Sequence, residues 1–156
     1  MTQQFAFRPR YRGIAWSAIG VGGSMVAAAA TLGFAMVPLV GGALGVALGA
    51  AYLASPTWQI SVTTDDSGIT VGSERRLRFR LAWSEIVRVI ASPTTRSCFV
   101  DGGTPARSLL VPGDGAPASY DIADRGALVD TILARVPADR VKIVASLDKT
   151  EEIKLQ

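Results

Sequence analysis

Histidine is absent from the 156 residues, cysteine occurs once, and no charged side chain stands between Gly13 and Thr64. With Cys98 alone, an intramolecular disulfide is excluded, and a His- or Cys-based metal centre has almost no ligands to draw on. The same lack removes the general base from any Ser–His arrangement around Ser84, Ser97 or Ser108. The only lysines, at 142, 149 and 154, suggest no Ser–Lys pair either. The expectation is a protein that is not an enzyme and that uses no cofactor, metal or small-molecule substrate. Cys98 reads as a small core residue of a strand.

The uncharged run is long enough for two membrane crossings, since about 30 Å of hydrocarbon needs roughly 20 apolar residues at about 1.5 Å each. Residues 14–55 are therefore expected to form a two-helix transmembrane hairpin, the first span from Ile14 to about Met36 and the second from about Val37 or Pro38 to Ser55. Pro38 suits a first helical turn, where its missing N–H is not needed. A cleaved signal peptide is the competing reading, but its apolar core would be about 7–15 residues, far shorter than this run.

Small residues recur at helical spacing in both spans. Ser17, Gly20, Ser24 and Ala28 share one face of the first, and Gly41, Gly45 and Gly49 repeat on the second. Helices in lipid associate by close van der Waals approach, which small side chains permit, so these residues are the expected helix-packing positions. They serve the hairpin itself or contact with another membrane protein, or they have no specific role, Gly and Ala being frequent in membrane helices. Neither span carries a charge that could serve an ion path or a proton relay.

Residues 1–13 read as a basic N-terminal segment. Arg8, Arg10 and Arg12 directly precede the first span, and positive residues are retained on the cytoplasmic side, so both termini are expected in the cytoplasm. Tyr11 and Trp16 suit the headgroup level.

From residue 57 the pattern changes to period-two alternation, and residues 57–147 are expected to form one soluble domain, followed by a charged tail at 148–156. Trp58, Ile60 and Val62 alternate with polar residues, Asp65-Asp66-Ser67-Gly68 makes a turn, and Ile69-Thr70-Val71 resumes. Leu77, Phe79 and Leu81 then alternate with Arg76, Arg78 and Arg80, which predicts one apolar and one guanidinium face. Segments 86–91, 98–100 and 109–111 read as further short strands. One amphipathic helix follows, with Leu128, Val129, Ile132, Leu133 and Val136 as its stripe, Asp121 or Asp124 as its cap and Pro137 as its stop. Asp101-Gly102-Gly103 lacks the strand and helix context of a pyrophosphate loop and reads as a turn.

The hairpin followed by Trp58-Gln-Ile-Ser-Val, Gly68-Ile-Thr-Val, Leu81-Ala-Trp83-Ser84-Glu85-Ile86 and a terminal amphipathic helix resembles the bacterial pleckstrin-homology-like membrane proteins. That resemblance implies a membrane α-hairpin plus an all-β domain, a bent sheet or barrel of about seven strands capped by one C-terminal α-helix. It implies a multi-pass protein of the bacterial inner membrane with no known enzymatic activity. The Lys-x-Arg spacing that binds lipid in eukaryotic pleckstrin-homology domains has no clear counterpart in the Asp65-Asp66 hairpin.

Arg75, Arg76, Arg78, Arg80 and Arg88 are the candidate contact residues of the soluble domain. Three uses fit them: a solvated strand face that resists edge pairing, contact with anionic lipid headgroups, or an acidic protein partner. Nucleic acid is not expected, because the basic charge is local and no binding motif accompanies it. The expected function is a membrane-tethered binding or scaffold protein whose partners are the bilayer and a membrane protein or a second copy. The alternative is a small accessory subunit that docks on a larger membrane complex through its glycine-rich helices.

Overall fold

A computed structural model describes residues 2–31, 33 and 36–147, so the charged tail expected at 148–156 lies outside the described residues. The chain divides into two units, one of residues 9–58 and one that joins the residues up to Arg8 to those from Gln59 onward.

The smaller unit is a helical hairpin of α1 (Arg12–Thr31) and α2 (Met36–Leu53). Pro38 sits in the first turn of α2, where no intrahelical partner is lost. Both helices are long and apolar enough to cross a membrane, and only 17% and 11% of their apolar stretches is buried. A core helix of a water-soluble protein would show mostly buried apolar residues instead.

The larger unit begins before the hairpin. Gln3–Pro9 forms β1, and after the hairpin come β2 (Ser61–Thr64), β3 (Gly68–Ser73), β4 (Arg76–Ala82), β5 (Arg88–Ser92), β6 (Ser97–Asp101), β7 (Leu109–Val111) and β8 (Tyr120–Ile122). The amphipathic helix α3 (Arg125–Arg135) and a last strand, β9 (Val141–Ile143), complete it. Two sheets result, of order β4-β3-β2-β1-β8 and β7-β6-β5-β9. The pairs β1–β2, β2–β3, β3–β4, β5–β6 and β6–β7 are antiparallel, and β5–β9 is parallel.

The two sheets and the C-terminal helix agree with the expected β domain, but the described residues hold nine strands where about seven were expected. The expectation that residues 1–13 are a separate basic segment is corrected, because Gln3–Pro9 lies between β2 and β8 in the sheet. Its Phe5 and Phe7 alternate with exposed neighbours and enter the core, each only 5% exposed. Trp58 leaves the predicted strand for a short 3-10 turn, Pro56–Gln59.

The core is formed by Val62, Ile69, Val71 and Leu81 from the first sheet and Val89, Cys98, Val100 and Val111 from the second, with Leu128, Val129 and Ile132 of α3 in the same cluster. Asp124 precedes α3 in the left-handed region at φ 50°, and its side chain makes no capping bond. Asp121 does not cap the helix either: its carboxylate accepts from its neighbour Ile122 N–H at 2.8 Å and from Arg125 at 3.3 Å.

Candidate functional site

The basic strand β4 is an edge strand, and its register departs from simple alternation. Ile69 pairs with Leu81, Thr70 with Arg80 and Val71 with Phe79, but Gly72 pairs with Leu77 and Ser73 with Arg76. Arg78 is the extra residue of a β-bulge. The three-guanidinium face expected from period two is therefore corrected: Arg80 and Arg76 have opposite parity, since Thr70 and Ser73 lie on opposite faces of β3. The same slip takes Leu77 out of the apolar row of Phe79 and Leu81, and Leu77 is 62% exposed.

The candidate arginines split by their partners. Arg80 donates to the Ser67 hydroxyl at 2.7 Å and lies 3.8 Å from the Asp65 carboxylate. Arg88 lies 3.6 Å from Asp101, its partner across the β5–β6 ladder. By contrast, Arg75, Arg76 and Arg78 are exposed and make no hydrogen bond or ion pair among the described residues. Arg78 acts at longer range on Tyr120, where its charge favours the phenolate while burial, the larger effect, pushes the phenol up.

The register also sorts the first sheet into two ends of different charge. One row across it runs Ala6, Ser61, Gly72, Leu77, and another runs Gln3, Thr64, Ile69, Leu81. The first row lies at the end where β1 runs into the hairpin and β2 returns from it, and the β3–β4 turn with Arg75 and Arg76 projects there. The second row lies at the end of the Asp65–Gly68 turn. That acidic end is closed by its own contacts. The Asp65 carboxylate accepts from the Ser67 N–H at 2.7 Å, the Ser67 hydroxyl and the Gly68 N–H at 2.9 Å. These bonds, the Ser67 hydroxyl first, hold its carboxyl below the ordinary value. Asp66 pairs with Arg135 at 2.9 Å, which does the same to its carboxyl.

Trp83 and Glu85 serve this end as structure. The indole N–H of Trp83 donates to the Asp65 carbonyl at 3.0 Å. The Glu85 carboxylate accepts from the Ala82 N–H at 3.0 Å and pairs with Arg107 at 2.9 Å, and both, the amide first, hold its carboxyl down. Arg107 also donates to the Arg80 carbonyl at 3.2 Å, which occupies part of the β4 edge. The glycine segment after β6 is a tight turn: a Cβ on Gly102 would lie 2.2 Å from the Arg107 carbonyl oxygen, and the Asp101 carboxylate accepts from the Gly103 N–H at 2.8 Å. Cys98 is fully buried, and burial pushes its thiol up to about 12.

In the hairpin, the close approach runs through a different set of small residues from the one expected on α1. A Cβ on Gly22 would sit 2.5 Å from the Gly42 carbonyl oxygen, one on Gly45 3.2 Å from that of Ala18, and one on Gly49 2.7 Å from that of Ala15. The pairing order makes the helices antiparallel. Ala15, Gly22 and Ala29 are the buried residues of α1, seven apart, and Gly42 and Gly49 those of α2. Ser17, Gly20, Ser24 and Ala28 lie on the exposed side of α1, which corrects the expected packing face, and Gly41 is exposed as well. Ser24 satisfies its hydroxyl within the helix, on the Gly20 carbonyl at 2.9 Å.

The end of the hairpin nearest Arg10 and Arg12 gathers aromatic residues. The Tyr11 N–H donates to the Tyr52 hydroxyl at 3.1 Å, and the Trp58 indole N–H donates to the Tyr52 carbonyl at 2.6 Å. Tyr52 and Trp58 meet edge to face, their ring centroids 5.1 Å apart. An apolar groove lined by Tyr11, Ile14, Ala18, Leu48 and Tyr52 opens at the same end. Comparison with known proteins finds no match among family models, curated proteins or solved structures.

Proposed function

We propose that this chain is a membrane-tethered, non-enzymatic binding protein of the bacterial inner membrane, in which α1 and α2 cross the bilayer and hold a pleckstrin-homology-like β domain at the cytoplasmic surface. The observation that carries the reading is the placement of the hairpin between two paired strands. β1 and β2 are antiparallel neighbours, so a crossing by α1 must be followed by a return through α2 before β2 can take its place beside β1. Both ends of the hairpin then lie on one side, and Arg8, Arg10 and Arg12 at its entrance favour the cytoplasm. Tyr11, Tyr52 and Trp58 suit the headgroup level at that end, since each joins an apolar ring to a polar group. Tethering raises the effective concentration of the β domain toward anything else held at the membrane.

Fluorescent-protein and alkaline-phosphatase fusions at Gln156 test the topology. Fluorescence without phosphatase activity supports it, and the converse overturns it.

A second reading, an accessory subunit of a larger membrane complex, is favoured by the outer face of α1. A Cβ on Gly20 or Gly23 would meet nothing within 4 Å among the described residues, so these glycines are not required by the hairpin's own packing. Gly20→Leu should abolish copurification of a complex from native membranes. Unchanged copurification removes that reading and leaves the tethered binding protein.

A further inference from the structure

We propose that the β3–β4 turn and the first residues of β4 dock on an anionic bilayer surface, with Leu77 entering the headgroup region and Arg75, Arg76 and Arg78 pairing with lipid phosphates. The inference rests on the reading that the hairpin spans the bilayer, and it adds where the β domain meets the lipid.

Position is the first argument. The chain leaves β1 for the hairpin beyond Arg8 and returns before Ser61, so the sheet end that carries Ala6 and Ser61 is the one covalently continuous with α1 and α2. Gly72 and Leu77 continue that row onto β3 and β4. Three strand spacings of about 4.8 Å separate β4 from β1, so along the sheet the β3–β4 turn lies roughly 14 Å from the strand that runs on into α1, at the same end. The acidic Asp65–Gly68 turn occupies the opposite end.

The bulge is the second argument. In an unbulged strand Arg78 would stand opposite Gly72, and Leu77 would follow Phe79 and Leu81 toward the core. The bulge sets it opposite Gly72 instead, and Leu77 stands exposed among three arginines. Gly72 permits this approach, because a Cβ there would lie 2.7 Å from the Arg76 carbonyl oxygen and 2.9 Å from the Leu77 Cα. An exposed apolar side chain with arginines on either side of it in sequence suits the interface of an anionic membrane, where guanidiniums bind phosphate while the apolar chain leaves water.

Charge is the third. Arg80, Arg88, Arg107, Arg125 and Arg135 each have a carboxylate partner. Arg75, Arg76 and Arg78 have none among the described residues, and Glu74 is the one acid within their turn. Each basic residue near an anionic surface multiplies the partition onto it roughly fivefold, which a domain already held beside the bilayer does not need for recruitment but can use for orientation.

The test uses the full chain in nanodiscs of phosphatidylcholine alone or with phosphatidylglycerol. An environment-sensitive fluorophore is attached at Leu77→Cys, and in a separate sample at Asp66→Cys. The native Cys98 stays in place, since it is fully buried. The proposal expects the Leu77→Cys probe to shift to shorter wavelength and lose at least threefold in aqueous quenching only when phosphatidylglycerol is present, with the Asp66→Cys probe unchanged. Arg75→Glu, Arg76→Glu and Arg78→Glu together should restore the water-exposed spectrum. A water-exposed probe at 77 in both lipids, with the protein incorporated, overturns the docking and leaves the tether standing. Equal shielding in both lipids overturns the pairing of the arginines with anionic lipid. Failure of the protein to enter nanodiscs at all overturns the tether and the docking together.

Discussion

The Phe7 N–H donates to the Ile60 carbonyl at 3.0 Å, closing a loop that contains the whole apolar hairpin. The hairpin is thus an insertion within a β domain and not a leader placed before it. Because a β-ladder tolerates only a fixed register once one face is buried, the strands on both sides of the insertion must meet again in one alignment, Phe5 against Val62 and Ala6 against Ser61.

The β domain should therefore fail without its first strand. Phe5 and Phe7 are buried, and the Phe7 ring stacks on Tyr120 with centroids 4.7 Å apart. A core Phe→Ala change costs about 3–5 kcal/mol, so Phe5→Ala combined with Phe7→Ala should remove most of a small domain's stability of about 5–15 kcal/mol. A fragment that starts at Gln59 should show no cooperative urea transition by circular dichroism, whereas residues 2–8 joined to Gln59 through Asn-Gly should restore one. A stable fragment without β1 would contradict this architecture.

Glycine substitutions should separate the two faces of α1. A Cβ on Gly22 or Gly42 would lie 2.5 Å from a backbone oxygen of the other helix, which no rotamer change can relieve. Gly22→Ala and Gly42→Ala should lower the melting temperature of the hairpin in detergent micelles. Gly20→Ala and Gly23→Ala, where the space is open, should leave it unchanged or raise it, since Ala is the better helix former by up to about 1 kcal/mol. Equal effects at Gly20 and Gly22 would contradict the packing.

What was legible in the sequence follows from the range of the forces concerned. The stripe of α3 and the alternation of β3 are local patterns, and Leu128, Val129, Ile132, Ile69 and Val71 are buried as their spacing predicts. β1 is hard to read because Arg8, Arg10 and Arg12 dominate that segment, although Phe5-Ala6-Phe7 carries the alternation. Its partner lies beyond the hairpin, and nothing local announces such a pairing. The packing face of α1 is not fixed by sequence because small residues surround most of the helix, so spacing alone cannot choose between Gly20 and Gly22. The bulge at Arg78 is set by the register of β3 and β4 together, and Gly72 was its one visible sign. β8 and β9, three residues each, are held by neighbours more than by their own composition.

Cys98 should make stability fall at alkaline pH. Its thiol is pushed from 9.0 up to about 12 by burial, so above pH 9 the folded state keeps a proton that the unfolded state has released. The contribution is complete below pH 9 and is lost progressively toward about pH 12. The urea midpoint should drop more steeply over pH 9–11 in the parent protein than in Cys98→Ala, even though the variant starts from a lower value. The native thiol should also resist aromatic disulfide reagents at pH 8 until denaturant is added. Prompt reaction without denaturant would contradict its burial.

The Asp65 turn offers the converse pH dependence. Three donors from Ser67 and Gly68, with Arg80 nearby, favour the carboxylate, so the folded pKa lies below the ordinary 3.8. A depressed acid contributes stability above its unfolded pKa and loses it as pH falls through the folded value. The amide resonances of Ser67 and Gly68 should titrate together with a midpoint below 3.8, and Asp65→Asn should abolish that titration while keeping one acceptor oxygen in the turn. Gly68→Ala should be worse tolerated than Asp65→Asn, because its Cβ would fall 2.2 Å from the Leu81 carbonyl oxygen and the β3–β4 ladder would have to part to admit it. A midpoint at or above 3.8 would mean that the carboxylate does not organise the turn, and the acidic end of the sheet would then need another anchor for Trp83.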